Sequence, residues 1–186
     1  TLYGDMSSRV MNVLSMFSPD MEVYSIDEAF LYLPEIESPY ELAEKIRATV
    51  RQWTGIPVSV GISTTKVLAK TANRTAKKNP ASNGAFVMLD DEKIKSVLSS
   101  FSVSDIWGVG DAYSRKLISY GIMNALDLSL MDDKWIKKEM TIIGLRIVHE
   151  LRGISCIPLE TVAADKKNIC SSRSFGVPVT TLKEMK

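Results

Sequence analysis

Strand-like and helix-like runs alternate up to about residue 90, and then the strand signal stops. That change of period constrains the fold more than any other feature. Residues 7–17, "SSRVMNVLSMF", carry Val10, Leu14 and Phe17 on one helical stripe. "EVYSIDEAFLYL" is rich in aromatic and β-branched residues, as a strand pair would be. Ser38-Pro39 then opens a helix that Gly55 stops. "IPVSVGIS" reads as a strand and "TTKVLAKTANRTAKK" as a helix capped by Ser63 or Thr64. After the loop "NPASNG", "AFVML" gives a last short strand. This β–α–β–α–β order predicts an α/β (α+β) layer with a mixed sheet and flanking helices. "DEKIKSVLSSF", "IWGVGDAYSRKLISYGI", "ALDLSLM" and "DDKWIKKEMTIIGLRIVHELRG" follow as an all-helical region ending at Gly153. A domain boundary is expected near residue 98. From residue 161 onward helical periodicity is lost, as in a linker.

Net charge is only +1, but its distribution is uneven. Residues 1–44 hold nine acids and the single base Arg9; residues 45–89 hold eight bases and no acid. Such asymmetry predicts neighbouring surfaces of opposite sign, one suited to cations and one to phosphates. Solvated helix faces are the plainer alternative. The two cysteines, Cys156 and Cys170, and the single His149 lack the number and spacing of a zinc site. His149 is expected to be structural. No apolar run approaches the roughly 20 residues a membrane span needs, and no secretory leader pattern is visible, so a reducing cytoplasm and no membrane partner are expected. The opening Thr-Leu-Tyr, without Met, is what a piece of a longer chain would show.

Three motifs carry chemistry. Asp27 and Glu28 sit together inside the apolar run "EVYSIDEAFLYL". In a straight strand they would point to opposite faces. If the flanks form a hairpin, both carboxylates leave the apolar layer at one end and can share a cleft. Asp-Glu is poor tight-turn chemistry, and a local rule broken at paired acids is typical of functional sites. Clustered carboxylates bind Mg²⁺, which keeps waters and takes substrate phosphates as further ligands. An exposed turn is the alternative. In the second motif, Lys66, Lys70, Arg74 and Lys77 or Lys78 recur along one side of a helix, with Val67, Leu68 and Thr71 facing the sheet. That cationic stripe suits a triphosphate. In the third, Gly108-Val109-Gly110 lies between two short helices in a helix-hairpin-helix pattern, with a plain helix-turn-helix packing corner as the alternative. Its glycines allow close backbone approach, and the N–H groups opening the next helix can hold a DNA phosphate. Arg115 and Lys116 add charge there, giving contacts that position a duplex without reading sequence.

Taken in order, "YSIDEAF", "SVGISTTKVLAKTANRTAKK", "IWGVGDAYSRKL" and "SSRSFGVPVT" resemble the Y-family translesion DNA polymerases, in particular their UmuC branch. The resemblance implies a palm fragment (1–98), a helical thumb (99–162) and a linker (163–186) toward a little-finger domain. It makes Asp27 and Glu28 catalytic ligands of a two-ion Mg²⁺ site. Lys77, or Lys78 given the adjacent pair, with Arg74 nearby, would contact the triphosphate. The Gly108–Gly110 turn would hold a duplex phosphate, and Arg173 would lie near the template. Primer–template DNA and dNTP are the implied substrates. A UmuD-type subunit, a recombinase filament and a sliding clamp are the implied partners, and error-prone SOS-type lesion bypass is the implied activity. Family members begin with a strand carrying a third carboxylate and a fingers segment, neither of which this sequence contains. The piece alone is therefore expected to be inactive and to bind Mg²⁺ poorly. A non-catalytic DNA-binding module and a nucleotidyl cyclase-like palm enzyme are the alternative readings.

Overall fold

The computed structural model describes residues 2–161, 170–172 and 174–183. Helix α1 (Leu2–Leu14) precedes a short antiparallel pair, β1 (Met21–Val23) and β2 (Ala29–Leu31), in which Glu22 faces Phe30. The first helix thus starts earlier and ends sooner than its stripe predicts. Val10, Met11 and Val13 are its buried residues, while Phe17 lies in the turn beyond it. Helix α2 (Pro39–Thr54) has Pro39 at its first turn. It stops where Gly55 adopts φ 75° and returns its N–H to Arg51 O, a conformation that favours glycine.

Strands β3 (Val60–Ser63) and β4 (Ala85–Met88) pair in parallel, joined through α3 (Lys66–Lys78) and a 3-10 turn at Pro80–Ser82. The cap of α3 is Thr65, whose Oγ1 accepts from Leu68 N–H, and neither Ser63 nor Thr64. The reason is local: Ser63 is the last residue of β3, and its hydroxyl donates to Met88 O across the strand pair. Gly61 allows α3 to lie directly on β3. A Cβ there would stand 2.6 Å from Ala69 O on the helix backbone.

The expected single mixed layer is instead two separate two-stranded sheets, β1–β2 and β3–β4. No ladder connects them among the described residues. What holds the halves together is α3. Val67, Leu68 and Ala72 are fully buried and share one apolar cluster with Met88 and with Leu98, Val103, Leu117, Leu128, Ile136, Val148 and Leu151 of the helical half. Two smaller clusters lie around α2, one with Val10 and Val13 of α1, the other with Ile62 and Ala85 of the parallel pair.

The helical half comprises α4 (Asp91–Ser100), α5 (Asp111–Ser119), α6 (Ala125–Ser129) and α7 (Asp133–Leu151). Residues 98 and 99 therefore lie inside α4. Ahead of the glycine turn, a single 3-10 turn (Val103–Asp105) stands where a helix was expected. The last helix is broken at Thr141, with φ 68° and ψ −174°. The run Thr141-Ile142-Ile143 is β-branched, and such side chains lose χ1 freedom in a helix. Among the described residues no helix is long and apolar enough to cross a membrane.

Candidate active site: an acidic hairpin over a basic helix

The β1–β2 hairpin closes through two backbone bonds, Tyr24 N–H and Ser25 N–H both donating to Glu28 O, at 3.0 and 3.1 Å. The tip is thus Ser25-Ile26-Asp27, and Glu28 is the first residue on the returning side. This wider turn removes the Asp-Glu tight turn that local chemistry disfavours. Asp27 is exposed, and its Oδ1 accepts from Ser25 Oγ at 2.7 Å. That hydroxyl first of all holds the Asp27 carboxyl below the usual carboxylate range; desolvation opposes it, and the backbone N–H of Asp27 and the charges of Lys77 and Lys70 add smaller lowering effects. Glu28 is half-buried and pairs with Lys70, Oε1 to Nζ 2.5 Å. The Lys70 ammonium also lies 5.5 Å from the centroid of the Tyr24 ring. Glu28 is thereby tied to α3 through Lys70, and Asp27 is its immediate neighbour at the tip.

The basic stripe has the side predicted for it, but most of it is engaged. Lys66 is buried in an ion pair with Glu22 of β1. Arg74 and Lys78 both bind Asp105, Lys78 at 2.6 Å. Asp105 is in consequence held below its ordinary range, first by the Lys78 hydrogen bond and then by the Arg74 charge, with burial opposing. Lys77 has no ion pair among the described residues, and the group it acts on is Asp27. Adjacent lysines indistinguishable by spacing are thus distinguished by their neighbours.

Trp107 links the hairpin to the glycine turn. Its ring packs on Tyr24 and Phe30 at centroid distances of 5.4 and 5.6 Å, and its Nε1–H donates to Tyr24 Oη at 3.2 Å. Gly108 follows at φ 89°, where a Cβ would meet Ile147 Cδ1 at 2.6 Å. Val109 is buried, while the space around the Cα of Gly110, just before α5, is open. Arg115 is exposed on α5. Lys116 is engaged by Glu139, at 2.9 Å from Oε2 and 3.0 Å from the backbone O, which raises its ammonium above the ordinary value. Arg173 lies outside the described residues. His149 contacts Asp133 through Nε2 at 2.9 Å and, with Arg152, braces the two ends of α7. Cys156 and Cys170 are free thiols.

Four residues that sequence reasoning missed shape this region: Glu22, Asp105, Trp107 and Glu150. Glu22 alternates with Val23 in β1, which was the available signal for its inward face. Glu150 had none, because a single acid between His149 and Arg152 near the end of a helix reads as an ordinary solvated charge. Among the described residues, no cluster of three or more His, Cys, Asp or Glu could hold a metal ion.

Residues 1–74 match the impB/mucB/samB family model. The chain is 43% identical to Protein UmuC of Salmonella typhimurium over 189 residues, covering 100% of the chain and 45% of the relative. It is 38% identical to Protein MucB of Escherichia coli with the same coverage. It is 35% identical to DNA polymerase IV of Saccharolobus solfataricus over 138 residues, 72% of this chain and 38% of that one. Among solved structures, an insertion ternary complex of Dbh DNA polymerase superposes with a TM-score of 0.70 at 28% identity, over 86% of this chain and 46% of the other. The chain spans less than half the length of each of these proteins.

Proposed function

The chain belongs to the impB/mucB/samB family, among the UmuC-type Y-family polymerases, and from that premise we propose that it is the palm remnant and thumb of an error-prone translesion DNA polymerase. The whole polypeptide would extend a primer across damaged template bases. The observation that carries this reading is the ion pair by which Glu28 of the hairpin meets Lys70 of α3, with exposed Asp27 next to it at the hairpin tip.

Two adjacent carboxylates fit the one or two that Mg²⁺ takes beside waters and substrate phosphates. Asp27 and Glu28 would hold the metal, which when bound supplies Lewis-acid activation of the attacking oxygen and charge neutralisation at the leaving pyrophosphate. The family pattern adds a third carboxylate on a strand that this sequence does not contain, so residues 1–186 alone are expected to be inactive. Ser25 donates its hydroxyl to the Asp27 carboxylate, which lowers that group's proton affinity and fixes its orientation. Lys70 orients Glu28 through their ion pair. Lys77, with no ion pair of its own among the described residues, is the cation available for the triphosphate, and Arg74 supports the helix from Asp105.

In the helical half, residues 99–162 would act as the thumb and residues 163–186 as the linker beyond it. The Gly108-Val109-Gly110 turn and the first N–H groups of α5 would hold a duplex phosphate, as in a helix-hairpin-helix, with Arg115 and Arg173 adding charge. What supports this is the open space at Gly110 and the packing of Trp107 on the hairpin. A UmuD-type subunit, a recombinase filament and a sliding clamp are the proposed partners of the whole polypeptide.

The test is Asp27→Ala in the longest natural polypeptide that carries this sequence. Primer extension is expected to disappear while duplex affinity stays within about threefold of the parent. Extension that persists overturns the two-metal assignment. Metal-independent, salt-sensitive duplex binding without any extension by the parent would instead favour a pure DNA-binding module.

A further inference from the structure

Glu22 and Lys66 form a buried ion pair that the reaction outlined above does not use. Their side chains are 8% and 10% exposed, and each makes a second contact with the segment that follows α7. Lys66 Nζ donates to Pro158 O at 2.8 Å, and the Glu22 oxygen that binds Lys66 also accepts from Glu160 N–H at 2.8 Å. The Lys66 ammonium lies 4.9 Å from the centroid of the Phe30 ring, directly across the hairpin from Glu22. Two residues earlier the same segment is fixed by Glu150, whose Oε1 accepts from Cys156 N–H and Ile157 N–H at 2.8 and 2.9 Å. Residues 156–160 thus form a strap, fastened at one end to α7 and at the other to the base of the acidic hairpin. A groove lined by Tyr24, Lys66, Trp107, Ile157 and Glu160 runs beside it.

A buried ion pair is a poor source of net stability, because desolvation opposes the Coulombic gain, and its best-attested role is to specify one arrangement over its competitors. Here three arrangements meet in one carboxylate: the height of the hairpin above α3, the start of α3, and the path of the departing chain. Glu22 stands five residues before Asp27, and Lys66 stands one helical turn before Lys70, the partner of Glu28. A slip at the Glu22–Lys66 contact would therefore shift Asp27 and Glu28 along the basic face.

We propose that Glu22 and Lys66 are positioning residues, which lock the 156–160 strap to the hairpin and thereby set where Asp27 and Glu28 sit relative to α3. The inference rests on the polymerase reading for its kinetic consequence but not for its structural one. The experiment uses the longest natural polypeptide that carries this sequence, with the volume-matched double substitution Glu22→Met and Lys66→Met and the single Glu22→Gln. Hydrogen exchange is read at the Tyr24, Ser25 and Glu160 amides. The double variant is expected to melt within a few degrees of the parent, yet to exchange these three amides at least tenfold faster. In single-turnover primer extension its maximal rate should fall at least tenfold, with nucleotide half-saturation and duplex affinity each within about threefold. Glu22→Gln, which keeps an oxygen for Glu160 N–H, should recover most of both. Unchanged exchange at the three amides overturns the proposal whatever the activity. So does a maximal rate equal to that of the parent, or a loss that appears in duplex affinity alone. If the parent extends no primer, the polymerase reading fails, and the exchange measurement still decides whether the strap is locked.

Discussion

At the scale of single residues, two side chains carry consequences that no propensity scale would assign them. Thr141 holds φ 68° and ψ −174°, a region that costs a residue with a Cβ roughly 1–3 kcal/mol and that glycine occupies freely. Against that stands the larger entropy that glycine loses on folding, roughly 0.5–1 kcal/mol. Thr141→Gly is therefore expected to stabilise the fold by about 1 kcal/mol, seen as a higher urea midpoint at unchanged slope. Asp105 has a folded pKa below the ordinary aspartate value, so its contribution is present above that ordinary value and is lost as pH falls through the lower folded one. Its partners are half-exposed or more, which limits the two bridges to about 1 kcal/mol together. Asp105→Asn should accordingly lower the melting temperature at pH 6, and the gap to the parent should close below pH 4.

At the scale of elements, α3 is the piece whose function depends most on its surroundings. Its bases were legible as one stripe because a helix places i, i+4 and i+8 on a single face. Spacing could not say that Lys66, Lys70, Arg74 and Lys78 would each find an acid while Lys77 finds none among the described residues. The expected consequence separates the adjacent lysines kinetically. Lys77→Ala should raise the nucleotide half-saturation constant about tenfold, the size of one lost charge-assisted contact. Lys78→Ala should leave it within about twofold and show only part of the stability loss of Asp105→Asn, because the Arg74 bridge to Asp105 remains. The hairpin was legible for a different reason. Two apolar runs flanking a pair of acids read as two strands meeting at a turn, with a simply exposed pair as the alternative. Its turn type was not legible, because the bonds from Tyr24 and Ser25 to Glu28 O widen it by a choice of backbone pairing rather than of residue. The Thr141 break in α7 was missed likewise, since apolar periodicity continues on both sides of it.

At the scale of the whole molecule, Glu150 is the joint. It is 0% exposed and accepts from Val67 N–H at the start of α3, and from Cys156 and Ile157 in the strap, while its own backbone O accepts from Thr65. A buried carboxylate satisfied by three backbone N–H groups leaves three orphan donors when removed, each costing roughly 1–3 kcal/mol. Glu150→Ala should therefore destabilise the fold by about 3 kcal/mol or more in chemical denaturation, with Glu150→Gln intermediate because it keeps one acceptor oxygen.

The sequence alone determined the change of period, the stop of α2 at Gly55, the hairpin with its two acids and the side of α3 that is basic. All of these follow from φ/ψ preference and side-chain direction within a few residues. Only the tertiary structure decided that the strands form two separate sheets, that four of the five stripe cations are neutralised, and that Glu22 and Glu150 are buried anchors. Those outcomes depend on which segments, up to 138 residues apart, come within hydrogen-bond distance once water is excluded. The energy of a charge is set by that environment, and no local stretch of chain contains it.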